Sequence, residues 1–147
     1  MVRLWNFFVR FIILLLVCLS FDYNCFAFEN VQVSKVARVY DGDTIELKLK
    51  KNTSIRLIGV DCYETAKINR AYKQAYIKNI PIEEVVRRGL LAKKELNKII
   101  KSNHYKVFFK CEGIDDYGRL LGEIYTLDGK SINEIMKNSY YCYPFEY

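Results

Sequence analysis

The chain is poor in the residues that most hydrolytic and metal sites are built from. Among its 147 residues there is one histidine, His104. It sits in "KSNHYK" beside an expected helix end, where a surface or capping role fits better than catalysis. Chemistry that relies on a histidine base would have this one only. None of the five cysteines is paired as C-x-x-C, so neither a zinc site nor a disulfide framework is expected. Cys18 and Cys25 fall in an N-terminal leader. Cys62, Cys111 and Cys142 leave room for one bridge and one thiol, and spacing does not select the pair. No internal repeat or low-complexity segment is present. The apolar run at residues 11–21 falls short of the roughly 20 residues of a membrane span.

That run is instead the middle of a leader. "MVRLWNFFVR" supplies Arg3 and Arg10, "FIILLLVCLSF" the apolar stretch, and "DYNCFA" a polar end closing on Ala27. This is the order of a secretory signal. Residues 1–27 are therefore expected to be a signal peptide, or an N-terminal anchor if retained, and residues 28–147 one exported domain. The protein would be secreted or held in the periplasm or cell envelope, monomeric, and without stable membrane association unless the leader stays.

With 51% hydrophobic and 27% charged residues, the chain is globular rather than disordered. A net charge of +6 with 12 Tyr and 9 Phe suits a nucleic-acid partner, since phosphates attract Lys and Arg and bases stack on flat rings. The same charge also simply keeps a protein soluble.

Periodicity gives the architecture. "VARVYDGDTIEL" reads as a hairpin turning at "DGDT", with Gly42 free to adopt positive φ. In "TIELKLK", Ile45, Leu47 and Leu49 alternate with charged residues. "KKNTS" forms a turn and "IRLIGV" the next strand, while residues 66–80 read as polar and irregular. Residues 79–103 form a helix, with Pro81 in its first turn, Glu83 and Glu84 at its positive end, and Lys98 and Lys101 at the other. Its apolar stripe is Val85, Gly89, Ala92, Leu96 and Ile99, and the two small residues let it lie close to a sheet. Strands at "HYKVFFKC" and "RLLGEIYTL" follow. A short helix starts at "SINEIM", where Ser131 and Glu134 make a capping box. Three strands, a helix, two strands and a short helix are the pattern of an OB-fold: an α+β, five-stranded barrel with a helix between strands 3 and 4 and a short C-terminal helix.

If the hairpin over residues 44–60 turns near Asn52, Ile45 opposes Gly59, Leu47 opposes Leu57, and Asp43 opposes Asp61. Two carboxylates that close repel unless a cation or shared proton intervenes, and an oxygen-only site favours a hard ion such as calcium. Glu64 lies within reach of the same place. Arg56 falls between apolar neighbours in the strand, and Arg119 follows the tight turn "DDYG".

"DGDT", "IRLIGVDCYET", "DDYGRLLGEIY" and "INEIM" together resemble the staphylococcal nuclease (thermonuclease) family in order and spacing, over residues 33–143. The resemblance implies a calcium-dependent phosphodiesterase acting on DNA or RNA. It implies calcium held by Asp43, Asp61 and the backbone carbonyl of Cys62, with Asp41 and Thr44 as support. It implies Glu64 as general base, Arg56 and Arg119 on the scissile phosphate, and Tyr117 at a terminal phosphate or adjacent nucleotide. Tyr63 stands where the family usually has proline. Tyr140, Tyr141, Tyr143 and Tyr147 offer rings for stacking or for closing the barrel end. An OB-fold module that binds nucleic acid without cutting it is the alternative.

Overall fold

The computed structural model describes residues 31–146, so the expected leader and Tyr147 lie outside the described residues. The chain runs β1 (Gln32–Val39), β2 (Thr44–Lys48), β3 (Thr53–Leu57), β4 (Val60–Cys62), α1 (Asn69–Lys78), α2 (Ile82–Ser102), β5 (Lys106–Ile114), β6 (Leu120–Tyr125), α3 (Ile132–Lys137) and β7 (Cys142–Pro144). Five strands close into a barrel in the order β1-β2-β3-β6-β5, and β4 pairs with β7 as a separate small sheet. Within the barrel only β3 and β6 run parallel. This is the expected OB-type α+β barrel, extended by one helix and one small sheet.

Alternation in the strands sends Ile45, Leu47, Ile55 and Leu57 fully inside. Ala92, Leu96 and Ile100 of α2, and Ile132 and Met136 of α3, join the same core. Ile100 rather than Ile99 carries the last turn of the α2 stripe, and Ile99 packs at its margin. The Ser131 hydroxyl accepts from the Glu134 amide at 3.2 Å, capping α3 as expected. His104 is exposed just beyond α2, in the left-handed region at φ 55°.

Residues 66–80 depart from expectation, because most of them form α1. Only Ala71 and Gln74 of this helix are buried, so it has no apolar stripe to announce it, and one of its two inward residues is polar. The hairpin also turns two residues earlier than its composition suggests. Ile45 faces Ile55, Leu47 faces Thr53 and Thr44 faces Arg56, because Thr53 and Ser54 join β3 instead of the turn. The shift is even, so every side chain keeps its expected face. Gly59, at φ 73°, then turns the chain out of the barrel into β4.

The glycines of α2 and of "DGDT" hold these layers together by lacking a side chain. Gly42 is not among the glycines at positive φ. A Cβ there would lie 2.6 Å from the Ala92 Cβ and 2.8 Å from the Cys62 Sγ, so the turn needs its space rather than its conformational freedom. A Cβ on Gly89 would lie 2.2 Å from the Glu64 carbonyl oxygen and 2.6 Å from that of Tyr63. Alanine usually stabilises a helix interior by about 1 kcal/mol over glycine. Gly89→Ala is expected to do the reverse, losing about 1–3 kcal/mol through overpacking. Thermal denaturation would show a lowered Tm, because the backbone of Tyr63 and Glu64 must move to make room.

Candidate active site

Asp43 ends the "DGDT" turn where Arg56, facing Thr44 across β2 and β3, enters from the next strand. The Arg56 side chain is buried, and its guanidinium forks between two carboxylates. One terminal nitrogen donates to Asp43 Oδ1, and the other donates to Asp61 Oδ1 at 2.6 Å. The two aspartates therefore do meet, but through an arginine and through the kink at Gly59 rather than as a ladder pair. Thr44 donates its hydroxyl to Asp43 Oδ1 at 3.2 Å, and the Cys62 amide donates to Oδ2 at 2.6 Å. Asp41 Oδ1 accepts from the Asp43 amide at 3.1 Å, which fixes the turn.

Burial pushes the Asp43 carboxyl up to about 7, against the lowering effect of Arg56. Burial would raise Asp61 as well, but the Tyr143 hydroxyl, Arg56 and Arg70 together hold it below the ordinary value. The two carboxylates are thus in contrasting electrostatic environments although they share one guanidinium.

Arg70, in the first turn of α1, completes the cluster. One of its terminal nitrogens donates to Asp61 Oδ1, and its Nε lies 3.3 Å from Glu64 Oε1. Glu64 is partly buried, which raises its carboxyl although Arg70 lowers it. Tyr143 of β7 donates its hydroxyl to Asp61 Oδ2 at 2.7 Å. Its ring is thus fixed at the aspartate, and burial with the Asp61 contact raises the phenol.

The segment carrying Glu64 is fixed by Gln74. This buried side chain accepts from the Glu64 amide at 3.0 Å, and donates both to the Cys62 carbonyl and to the Tyr143 hydroxyl, each at 3.0 Å. It thereby spans Tyr63, which fills the place where the resembling family usually has proline. Tyr63 is itself buried, with its ring edge-on to Tyr143 at 5.8 Å. A disulfide between Cys62 and Cys142 joins β4 to β7, leaving Cys111 free and exposed. Gln74→Leu would strand the Glu64 amide and the Cys62 carbonyl. If Glu64 is the general base that the resemblance implies, its misplacement should lower kcat roughly 10-fold to 100-fold with KM little changed, as steady-state kinetics would measure.

Arg119 and Tyr117 form a separate group on the turn between β5 and β6. Asp115 Oδ1 accepts from the amides of Tyr117 and Arg119, at 3.0 and 2.8 Å, and its Oδ2 accepts from Arg119 Nε at 2.7 Å. The Arg119 guanidinium lies 5.6 Å from the centre of the exposed Tyr117 ring. Parallel pairing of Arg56 with Leu121 brings this turn beside the strand that carries Arg56. Asp43, Arg56, Asp61 and Glu64 thus converge directly, whereas Arg119 and Tyr117 stand on a neighbouring loop.

Residues 54–140 match the model of the family described as staphylococcal nuclease homologue. The chain belongs to that family. The matched span takes in Arg56, Asp61, Glu64, Tyr117 and Arg119, and runs from within β3 past the end of α3. Among relatives, the chain is 37% identical over 109 residues to Endonuclease YhcR of Bacillus subtilis, covering 71% of this chain and 8% of that protein. It is 30% identical over 116 residues to an uncharacterized protein of Methanocaldococcus jannaschii, covering 72% and 56%. It is 28% identical over 113 residues to an uncharacterized endonuclease of Escherichia coli O157:H7, covering 76% and 60%. The chain therefore spans less than two thirds of each of these relatives.

The donors offered by Asp43, Asp61 and the Cys62 carbonyl are all oxygens, the chemistry a hard divalent cation takes. Among the described residues no three acidic, histidine or cysteine side chains gather as a metal cluster. A cation here would depend on two aspartates and backbone or solvent oxygens.

Proposed function

We propose that this member of the staphylococcal nuclease homologue family is an exported, calcium-dependent nuclease hydrolysing phosphodiester bonds of DNA or RNA. The observation that carries the reading is the convergence of Asp43, Arg56, Asp61 and Glu64 at one end of the barrel, with Arg119 on the neighbouring turn. The endonuclease names of the Bacillus and Escherichia relatives support it, and the signal-like order of residues 1–27 supports export.

Glu64 acts as the base in this reading. Its carboxylate takes a proton as a water oxygen bonds to phosphorus, the ester P–O bond breaks, and the departing oxygen takes a proton from solvent water. Guanidinium groups keep their charge and match phosphate oxygens with paired donors. Arg56, buried among carboxylates, and Arg119, already oriented by Asp115, are the groups to stabilise charge as it develops. Arg70 can exchange part of its contact with Asp61 and Glu64 for a substrate phosphate. Asp43, Asp61 and the Cys62 carbonyl would hold calcium, which when bound supplies neutralisation of a phosphate oxygen and orientation of the attacking water. With two carboxylate ligands the affinity should be weak, about 10⁻⁴–10⁻³ M.

The test is cleavage of labelled single-stranded DNA and RNA across a calcium titration. Product should appear in the millimolar range and vanish with chelator. Ion pairing of Arg56 and Arg119 within the protein favours one other reading, a module that binds the strand without cutting it. Binding with no product at any calcium concentration would establish that alternative.

A further inference from the structure

A concave cavity of about 390 Å³ opens between α1 and β7, alongside the carboxylate cluster. Its wall is apolar, made by Ile77, Phe145 and the Tyr143 ring. Lys73 and Lys78 stand at it from exposed positions on α1. The Lys78 ammonium lies 4.4 Å from the centre of the Tyr143 ring, which holds that charge over the cavity. Asp61 and Arg70 form its inner boundary, so the cavity and the proposed hydrolytic centre share two residues. Tyr117 and Arg119, on the β5–β6 turn, do not line it.

We propose that this cavity is a nucleotide subsite. It would take the base of the residue next to the scissile phosphate, with that residue's own phosphate at Lys73 and Lys78. The inference rests on the nuclease reading and adds to it where the strand runs on one side of the cut.

Three features select this occupant. A flat, mostly apolar wall of this size suits one nucleobase, in the lower range of ligand pockets. Three cations against one anion at the lining favour a polyanion over a neutral aromatic ligand. An aromatic and apolar surface interleaved with lysines is the arrangement that tracks a single strand, because each nucleotide repeats a base face and a phosphate. Tyr143 links the subsite to chemistry, since the same residue that walls the cavity donates to Asp61. Occupancy would therefore steady the carboxylate cluster as well as raise affinity.

The experiment compares two double charge reversals with equal change in net charge, in the full chain. Lys73→Glu/Lys78→Glu alters the cavity. Lys94→Glu/Lys98→Glu alters exposed positions of α2 outside it. Affinity for a fluorescent 12-nucleotide single strand is read by anisotropy across a salt series, and KM and kcat are read on the same strand. The cavity variant should raise Kd and KM about 10-fold or more, and lower the slope of log K against log salt by about 2. The α2 variant should change both much less. On methyl p-nitrophenyl phosphate, a phosphodiester with no base, the cavity variant should lose much less than it loses on the strand. Equal losses in the two double variants would overturn the subsite, as would failure of the wild type to bind the strand. If the wild type binds the strand but cuts nothing, the nuclease reading fails, and the paired affinities still decide whether the cavity holds a nucleotide.

Discussion

Glu64→Gln is expected to lower kcat on single-stranded DNA about 10²–10⁴-fold, the range of a positioned general base, while KM and Tm change little. The substitution keeps the shape of the side chain. The amide of residue 64 stays bonded to Gln74, so the loop keeps its anchor. What disappears is a carboxylate that pairs with Arg70 at 3.3 Å, whereas Asp43 and Asp61 are both bound to the Arg56 guanidinium. Steady-state kinetics beside a thermal melt would check it. A comparable loss in KM instead of kcat would mean that Glu64 serves binding. A large drop in Tm would mean that it serves the fold.

The largest effect on stability is expected from the Cys62–Cys142 bridge. It joins residues 80 apart in sequence, and closing a loop of that length is worth about 4–5 kcal/mol in the chain-entropy account. For a domain of this size, reduction or Cys142→Ser should then lower Tm by about 15 °C or more. The loss should reach the site as well, because the bridge sits one residue from the pairing of Asp61 with Tyr143 across β4 and β7. Without it, the Tyr143 hydroxyl keeps its place at Asp61 through a three-residue strand and the Gln74 hydrogen bond, with no covalent tie between β4 and β7. We therefore expect kcat to fall under reductant at temperatures well below the melt. Calorimetry and cleavage rates with and without dithiothreitol would measure both effects. A bridge of this kind persists in oxidising compartments, in keeping with the export proposed from the leader.

The parts of this architecture legible in the sequence are those written in apolar periodicity. Ile45, Leu47, Ile55 and Leu57 alternate as core strands do, and Val85, Gly89, Ala92 and Leu96 recur as a helix face does. The barrel and α2 followed from them. Motif spacing brought Asp43, Arg56, Asp61 and Glu64 into one neighbourhood even though the hairpin register was two residues out at its turn.

What local sequence patterns do not display is polar and long-range. Gln74 and Arg70 stand on α1, a helix whose inner face is one alanine and one glutamine, so no hydrophobic signal marks it. Tyr143 was legible as an aromatic near the end of the chain, but its bond to Asp61 depends on β4 leaving the barrel at Gly59 to pair with β7. The cysteine pair was undecidable for the same reason. Gly42 carried a turn signature, yet its space is taken by Ala92 and Cys62, residues distant in sequence. Each missed feature is a contact between elements whose local patterns do not mention one another.

The Asp43–Arg56–Asp61–Glu64 cluster is proposed to hydrolyse a phosphodiester bond in a strand the protein binds. The most direct measurement follows binding and product together on one end-labelled single strand in calcium, for the wild type and for Glu64→Gln. Both proteins should retard the strand equally, only the wild type should yield fragments, and chelator should stop the cleavage. Equal fragment yields from the two proteins would remove Glu64 and its cluster from the chemistry.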